Sequence, residues 1–166
     1  MKKPESKIRP YKPTDFDACC ETFKTNIPKF FKEFELEIFK DYLRRLAHEN
    51  YWVLEDKTGI VGCGGIAVRT TGQGDLCFGL VRQDRHKQGL GDVLTKYRLK
   101  KLLESPKVKF LSLNTSQHTT GFYERFGFKL LSTTENGYAP GLHRCDMRLD
   151  LSGDKAVREQ LIKKLI

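Results

Sequence analysis

Val81 to Leu94, VRQDRHKQGLGDVL, constrains this chain more than any other stretch, because it joins an apolar run, a basic loop, two glycines one residue apart and an amphipathic helix. Gly89 and Gly91 remove side chains where the helix begins. Its first N–H groups then lie open to a ligand, and the helix dipole adds partial positive charge there. Such a helix start is a seat for phosphate. Arg82, Arg85 and Lys87 add full charges, and Leu90, Val93, Leu94 and Tyr97 recur at i, i+3, i+4 and i+7, which holds the helix on a core. The competing account of an isolated Gly-x-Gly is a helix start whose glycines merely allow close packing. The stretch predicts a strand–loop–helix unit that binds an anionic cofactor.

At 166 residues the chain suits one domain, residues 1–166, with a core large enough to fold alone. No apolar run approaches the roughly 20 residues that span a bilayer. The start, MKKPESKIRP, has lysines but no apolar segment of the kind a secretory signal needs. The expected location is the cytoplasm, with no membrane partner. Cys19, Cys20, Cys63, Cys77 and Cys145 are an odd count without a CxxC pair, which speaks against a zinc site and a disulfide framework alike. No metal is expected, and most of these thiols read as small core residues.

A formal net charge of +9 fits nucleic acid, a membrane surface or an anionic small molecule. The charge is concentrated. Arg82, Arg85, His86, Lys87, Lys96, Arg98, Lys100, Lys101, Lys107 and Lys109 face only Asp84, Asp92 and Glu104 over the same stretch. A polyphosphate at the glycines would sit in that field, while Lys96 to Lys101 reads as a solvated helix face. The even spread of aromatics and the lack of an RNA-binding signature argue against nucleic acid.

Along the chain, Lys7 to Arg9 reads as a short strand stopped by Pro10 and Pro13, and Thr14 or Asp15 caps a helix running toward Asn26. Pro28 starts a longer helical segment with Phe39, Tyr42, Leu43 and Leu46 on its buried face. Phe30, Phe31 and Phe34 crowd its beginning, as core or as the wall of a substrate pocket. Tyr51 to Glu55 and Ile60 to Val68 predict a hairpin across Asp56-Lys57-Thr58-Gly59. Gly62 to Gly65 inside the second strand mark a bulge or a close backbone approach, since no helix follows them.

A strand at Asp75 to Val81, the helix after the glycines to about Ser105, and a strand at Val108 to Leu113 come next. A short helix carrying Phe122, Tyr123 and Phe126 closes at Gly127. Glu135 to Leu142 reads as a loop, Arg144 to Leu151 as the last strand, and Asp154 to Ile166 as an amphipathic helix docking Val157, Leu161 and Leu165. The order implies an α/β fold with a mixed sheet.

Two pieces about thirty residues apart, His86-Lys87-Gln88-Gly89-Leu90-Gly91 and Tyr123-Glu124-Arg125-Phe126-Gly127-Phe128, together resemble the GNAT superfamily of N-acetyltransferases. The first is similar to that family's Arg/Gln-x-x-Gly-x-Gly/Ala acetyl-CoA loop, and the second to its Tyr-x-x-x-Gly-Phe signature. A Rossmann fingerprint fails because position 94 is Leu, and a phosphate-binding P-loop fails because no Gly-Lys-Ser/Thr follows.

The resemblance implies a central, mostly antiparallel sheet splayed between its fourth and fifth strands and flanked by helices. It implies acetyl-CoA as acyl donor and direct transfer to a primary amine. In the family, the backbone of the strand before the loop holds the pantetheine arm like an added strand, here Gly79, Leu80 and Val81. The Gly79 or Leu80 N–H would face the thioester oxygen. His86, Lys87, Gln88, Gly89, Leu90, Gly91 and Asp92 form the pyrophosphate loop, and Asn114 and Ser116 meet the arm from the next strand and loop.

Tyr123 matches the tyrosine that protonates the departing sulfur, and a phenol of reference pKa about 10 can donate to a thiolate. Asp75 stands where some members carry a carboxylate base, with His118 and His143 as alternatives. His86 replaces the usual Arg or Gln, and Asp92 brings an acid close to the pyrophosphate while also suiting the first turn of a helix. The alternative function is a non-catalytic module of the same fold that senses acyl-CoA or binds RNA or a partner. A longer acyl donor and a homodimer stay open, as does the acceptor, which the segments Asn26 to Phe34 and Asn136 to Arg144 would select.

Overall fold

Turn chemistry and apolar alternation divide the chain into short elements, which the computed structural model describes over residues 5–151 and 155–165. β1 (Lys7–Pro10) leads through a 3-10 turn at Pro13–Asp15 into α1 (Phe16–Lys24) and α2 (Glu33–Arg45). β2 (Tyr51–Asp56), β3 (Gly59–Val68), β4 (Gln73–Val81) and α3 (Leu90–Leu103) follow. The chain continues as β5 (Phe110–Thr115), α4 (Thr120–Glu124), β6 (Lys129–Ala139), β7 (Leu142–Asp150) and α5 (Lys155–Lys164).

The strands form one sheet in the order β1-β2-β3-β4-β5-β7-β6. Pairing is antiparallel for β1–β2, β2–β3, β5–β7 and β6–β7, and parallel for β4–β5, whose register covers Gln73–Asp75. This is the mixed α/β architecture expected. By compactness the chain forms two units, Met1–Gly65 with Cys77–Arg98, and Ile66–Leu76 with Leu99–Ile166. β3, β4 and α3 run from one unit into the other.

In the first unit, Cys19 and Phe23 of α1 and Leu36, Phe39 and Leu43 of α2 pack on Val53 and Cys63 of the sheet. Phe23 stacks on Phe31 at 4.4 Å and on Phe39 at 4.9 Å; of the early aromatic cluster only half-buried Phe31 joins this core, whereas Phe30 packs on His86 and Phe34 is 55% exposed. A second cluster, Leu54, Val61, Val81, Leu90 and Leu94, seats the start of α3 on its expected apolar stripe. Truncating Leu94 there would cost about 2–5 kcal/mol.

Two helix expectations are corrected. α2 begins at Glu33 rather than Pro28, because the Asn26 carbonyl accepts the N–H groups of Phe30 and Phe31 in a turn and the Lys32 N–H caps onto Glu35 Oε2 at 2.7 Å. Leu46 is 64% exposed, since α2 ends one residue before it. Gly62 to Gly65 mark close approach: a Cβ on Gly62 would stand 3.0 Å from the Leu80 carbonyl, and one on Gly65 would stand 2.7 Å from that of Asn50. A bulge lies beside them on the same strand, where Leu54 pairs with Gly62 and Glu55 with Ile60, leaving Val61 of β3 as the extra residue.

In the second unit, Leu111, Leu113, Cys145 and Met147 are buried positions of the paired β5 and β7. Arg158 of α5 donates to the carbonyls of Ser105 and Val108 at 3.2 and 2.7 Å, and Leu161 and Leu165 are buried. Residues 154 and 166 of the expected C-terminal helix lie outside the described residues, as do residues 1–4. Much of the expected loop Glu135 to Leu142 is strand instead. β6 reaches Ala139 because Thr133 and Thr134 pair with Cys145 and Arg144, and the register shift after Thr134 absorbs Asn136, whose φ is 53°. No helix among the described residues is long and apolar enough to cross a membrane.

Candidate functional site

The glycine loop lies in the first unit, between β4 and α3. After a 3-10 turn at Gln83–Arg85 the backbone becomes left-handed at Lys87, φ 61°, and at Gly89, φ 80°. The Val93 N–H bonds the Gly89 carbonyl at 3.1 Å, which makes Gly89 the residue capping α3. Helix geometry then leaves the N–H groups of Leu90, Gly91 and Asp92 without intrahelical acceptors, at the positive end of the dipole. A Cβ on Gly89 would meet nothing within 4 Å. Gly89 is therefore required by its φ and not by packing, and the space beside the helix start suits a bulky anion.

The charges around the loop differ from expectation. Arg82 pairs with Asp84 at 2.7 Å, and Arg85 reaches Asp56 at 2.5 Å while bonding Gln88 Oε1 at 3.1 Å. Hydrogen bonds from Thr58, and then from Arg85, hold the Asp56 carboxyl at about 2, below the usual carboxylate range. Arg85 thus braces the loop on the β2–β3 hairpin, and exposed Lys87 is the cation at the turn itself. His86 Nε2 lies 2.8 Å from the Val81 carbonyl, and its ring meets Phe30 edge-on at 5.1 Å. The loop therefore presents His86 through its backbone, its imidazole being turned inward. Asp92 pairs with Lys96 one turn on at 3.0 Å, which offsets its negative charge at the helix start.

Upstream, Phe78 adopts φ 36°, a left-handed kink in the middle of β4. Buried Tyr51 donates its hydroxyl to the Phe78 carbonyl at 3.0 Å. Burial raises the Tyr51 phenol well above its usual pKa, so the donor keeps its proton. The Phe78 ring packs on Phe39 at 5.3 Å and Tyr42 at 5.0 Å. Buried Asn26 donates its amide to the Val81 carbonyl at 3.0 Å, fixing the end of the strand.

Between these anchors, Gly79 faces Arg98, which is 2% exposed. The guanidinium Cζ would lie 2.7 Å from a Cβ on Gly79 and 3.1 Å from one on Gly64. Arg98 Nη1 donates to the Gly65 carbonyl at 3.4 Å, and Nε has no hydrogen-bond partner among the described residues. The solvated face expected for Lys96 to Lys101 is thus wrong at Arg98. Leu90, Leu94, Arg98 and Leu102 are all buried and follow one another at i+4, so the stripe itself was the signal and the charge concealed it.

In the second unit, Asp75 lies on β4 opposite Ser112, its carboxylate accepting Arg69 Nε at 2.5 Å and Gln73 Nε2 at 2.6 Å. Asn114 Oδ1 accepts the Tyr138 hydroxyl, and buried Ser116 accepts the His118 N–H at 3.3 Å. Tyr123 sits in α4, ahead of Gly127 at φ 100°, with its ring edge-on to Phe122 at 5.0 Å and Phe128 at 6.1 Å. Its hydroxyl has no hydrogen-bond partner among the described residues. His143 Nδ1 accepts the Asn136 N–H at 3.0 Å, which engages one of its nitrogens. Among the described residues, no group of three or more His, Cys, Asp or Glu side chains could hold a metal ion.

Residues 13–151 match the family model described as an acetyltransferase (GNAT) domain. The chain belongs to the GNAT acetyltransferase family. Its fold is similar to that of a GNAT-family acetyltransferase from Desulfovibrio desulfuricans, at TM-score 0.70 and 22% identity over 89% of this chain and 100% of that chain. It is also similar to the ribosomal-protein-S18-alanine N-acetyltransferase of Escherichia coli, at TM-score 0.70 and 19% identity over 90% and 96% of the two chains. An aminoglycoside 6'-N-acetyltransferase complexed with coenzyme A matches at TM-score 0.67 and 15% identity over 89% and 98%. Comparison with curated proteins returns no match. Both GNAT motifs read from the sequence, HKQGLG and YERFGF, fall inside the matched span.

Proposed function

We propose that this chain is an acetyl-CoA-dependent N-acetyltransferase, one acetyltransferase domain acting in the cytoplasm on a primary amine. The observation that carries this is the glycine loop of a GNAT member: Gly89 at φ 80° with open space where its Cβ would be, at the start of α3. The N–H groups from Lys87 to Asp92, including those of Gln88, Leu90 and Gly91, are assigned to the pyrophosphate of acetyl-CoA, with the charge of Lys87 beside them. The backbones of Gly79, Leu80 and Val81 are assigned to its pantetheine arm, and Asn114 and Ser116 to the same arm. The aminoglycoside-acetylating neighbour carries coenzyme A, which supports this choice of donor.

Transfer forms a bond from the amine nitrogen to the thioester carbonyl carbon and breaks the C–S bond, whose electron pair leaves on sulfur. Negative charge that develops on the carbonyl oxygen is met by backbone N–H at Gly79 or Leu80. Tyr123 gives its proton to the sulfur, a role supported by a hydroxyl without a partner among the described residues. Asp75 takes the proton from the amine, directly or through water, with Arg69 and Gln73 orienting its carboxylate. Asp75 then releases its proton to solvent, solvent returns one to Tyr123, and the products are an amide and the CoA thiol.

The test is calorimetry with acetyl-CoA, followed by thiol release across amines that include peptide N-termini and aminoglycosides, the acceptor classes of the two neighbours. Binding with thiol release is expected. No binding overturns the function, and binding without release for any amine assigns the chain to acyl-CoA sensing instead.

A further inference from the structure

We propose that Arg98 is an electrostatic positioning residue for the acyl group, its buried guanidinium setting a positive field at the Gly79 backbone. The inference rests on the acetyl-CoA function above and adds to it a residue outside both GNAT motifs. Arg98 occupies a slot on α3 where its neighbours on the stripe are Leu90, Leu94 and Leu102, so an apolar side chain would satisfy the packing. A buried charge there is costly unless something compensates it.

Little does so within the described residues. No carboxylate among them forms an ion pair with Arg98, Nε has no hydrogen-bond partner, and Nη1 has only the Gly65 carbonyl at 3.4 Å. The surrounding backbone has been cleared to admit the group. Gly64 and Gly79 both lack a Cβ where the guanidinium lies, and a methyl at either would press on it.

The position of that charge connects it to chemistry. The guanidinium rests on the α-carbon of Gly79, directly after the left-handed kink at Phe78 and beside the N–H groups assigned to the thioester oxygen. In a low-dielectric interior a full positive charge acts over several ångströms. It therefore favours the electron density that moves onto that oxygen as the amine attacks, without touching the substrate.

The test uses the full chain as Arg98→Met and Arg98→Lys. Arg98→Met should bind CoA in calorimetry within about threefold of wild type and lose about tenfold to a hundredfold in kcat, with Arg98→Lys recovering part of the loss. Isotope-edited infrared spectroscopy on the wild type reads the same field and does not depend on the variant folding. The carbonyl stretch of bound 13C-acetyl-CoA should move to lower wavenumber than in solution, because a positive field weakens the C=O bond.

A folded Arg98→Met with wild-type kcat overturns the proposal, as does a bound carbonyl absorbing at or above its solution wavenumber. Both results leave the acetyltransferase function standing. A wild type that binds no acetyl-CoA overturns that function and this inference together.

Discussion

The guanidinium of Arg98 lies against the α-carbon of Gly79, its Cζ 2.7 Å from the point a Cβ would occupy. Gly79→Ala must push that group aside, and overpacking of this kind costs about 1–3 kcal/mol. In an Arg98→Met background the same substitution should cost less, because a flexible thioether yields. Urea unfolding of the four proteins in the cycle checks this, with a coupling of at least about 1 kcal/mol expected. Additive costs would show that the two residues do not press on each other.

Tyr123→Phe removes the hydroxyl and keeps the ring contacts to Phe122 and Phe128. It should lower kcat about tenfold to a hundredfold, with acetyl-CoA affinity and melting temperature close to wild type. Thiol-release kinetics beside calorimetry make the measurement. Equal losses in stability and rate would return Tyr123 to a packing role.

Asp56 ties pH to the integrity of the loop. Its carboxyl is held at about 2 in the folded chain, by Thr58 and then by Arg85, below the value of an exposed carboxylate. The stabilisation is therefore present above the unfolded value of about 3.9 and is lost as pH falls from there through about 2. After allowance for solvent screening it is worth about 1–2 kcal/mol. Asp56→Asn should melt lower than wild type at pH 7, with the gap closing toward pH 2, and should weaken CoA binding because Arg85 loses its brace. A gap that stays constant down to pH 2 would contradict this account.

Asp75→Asn should lower kcat/KM for the amine about tenfold or more and leave CoA affinity unchanged. Its carboxylate also holds Arg69 and Gln73, so thermal denaturation runs alongside. A lower melting temperature with kcat/KM for the amine close to wild type would assign Asp75 to structure alone.

Motif spacing made the glycine loop legible. The left-handed glycine at 89, the apolar stripe from Leu90 and the closing glycine at 127 all follow from a few adjacent residues. Boundaries set by capping were less legible. The turn at Asn26 and the Lys32–Glu35 cap moved the start of α2 past Pro28, and pairing with β7 extended β6 into an expected loop. Gly79 was legible as a special position, but the side chain that requires it was not.

By itself the sequence determined the order of elements, the glycine-led start of α3 and the family, because these rest on periodicity and backbone chemistry within short windows. Only the tertiary structure decided which charges are available and where the strand bends. Arg85 meets Asp56 from 29 residues away, Tyr51 holds the Phe78 kink from 27 away, and Asn26 fixes Val81 from 55 away. Such contacts depend on which side chains the folded sheet brings side by side. Local propensity cannot report them, and the same is true of an arginine buried against a glycine.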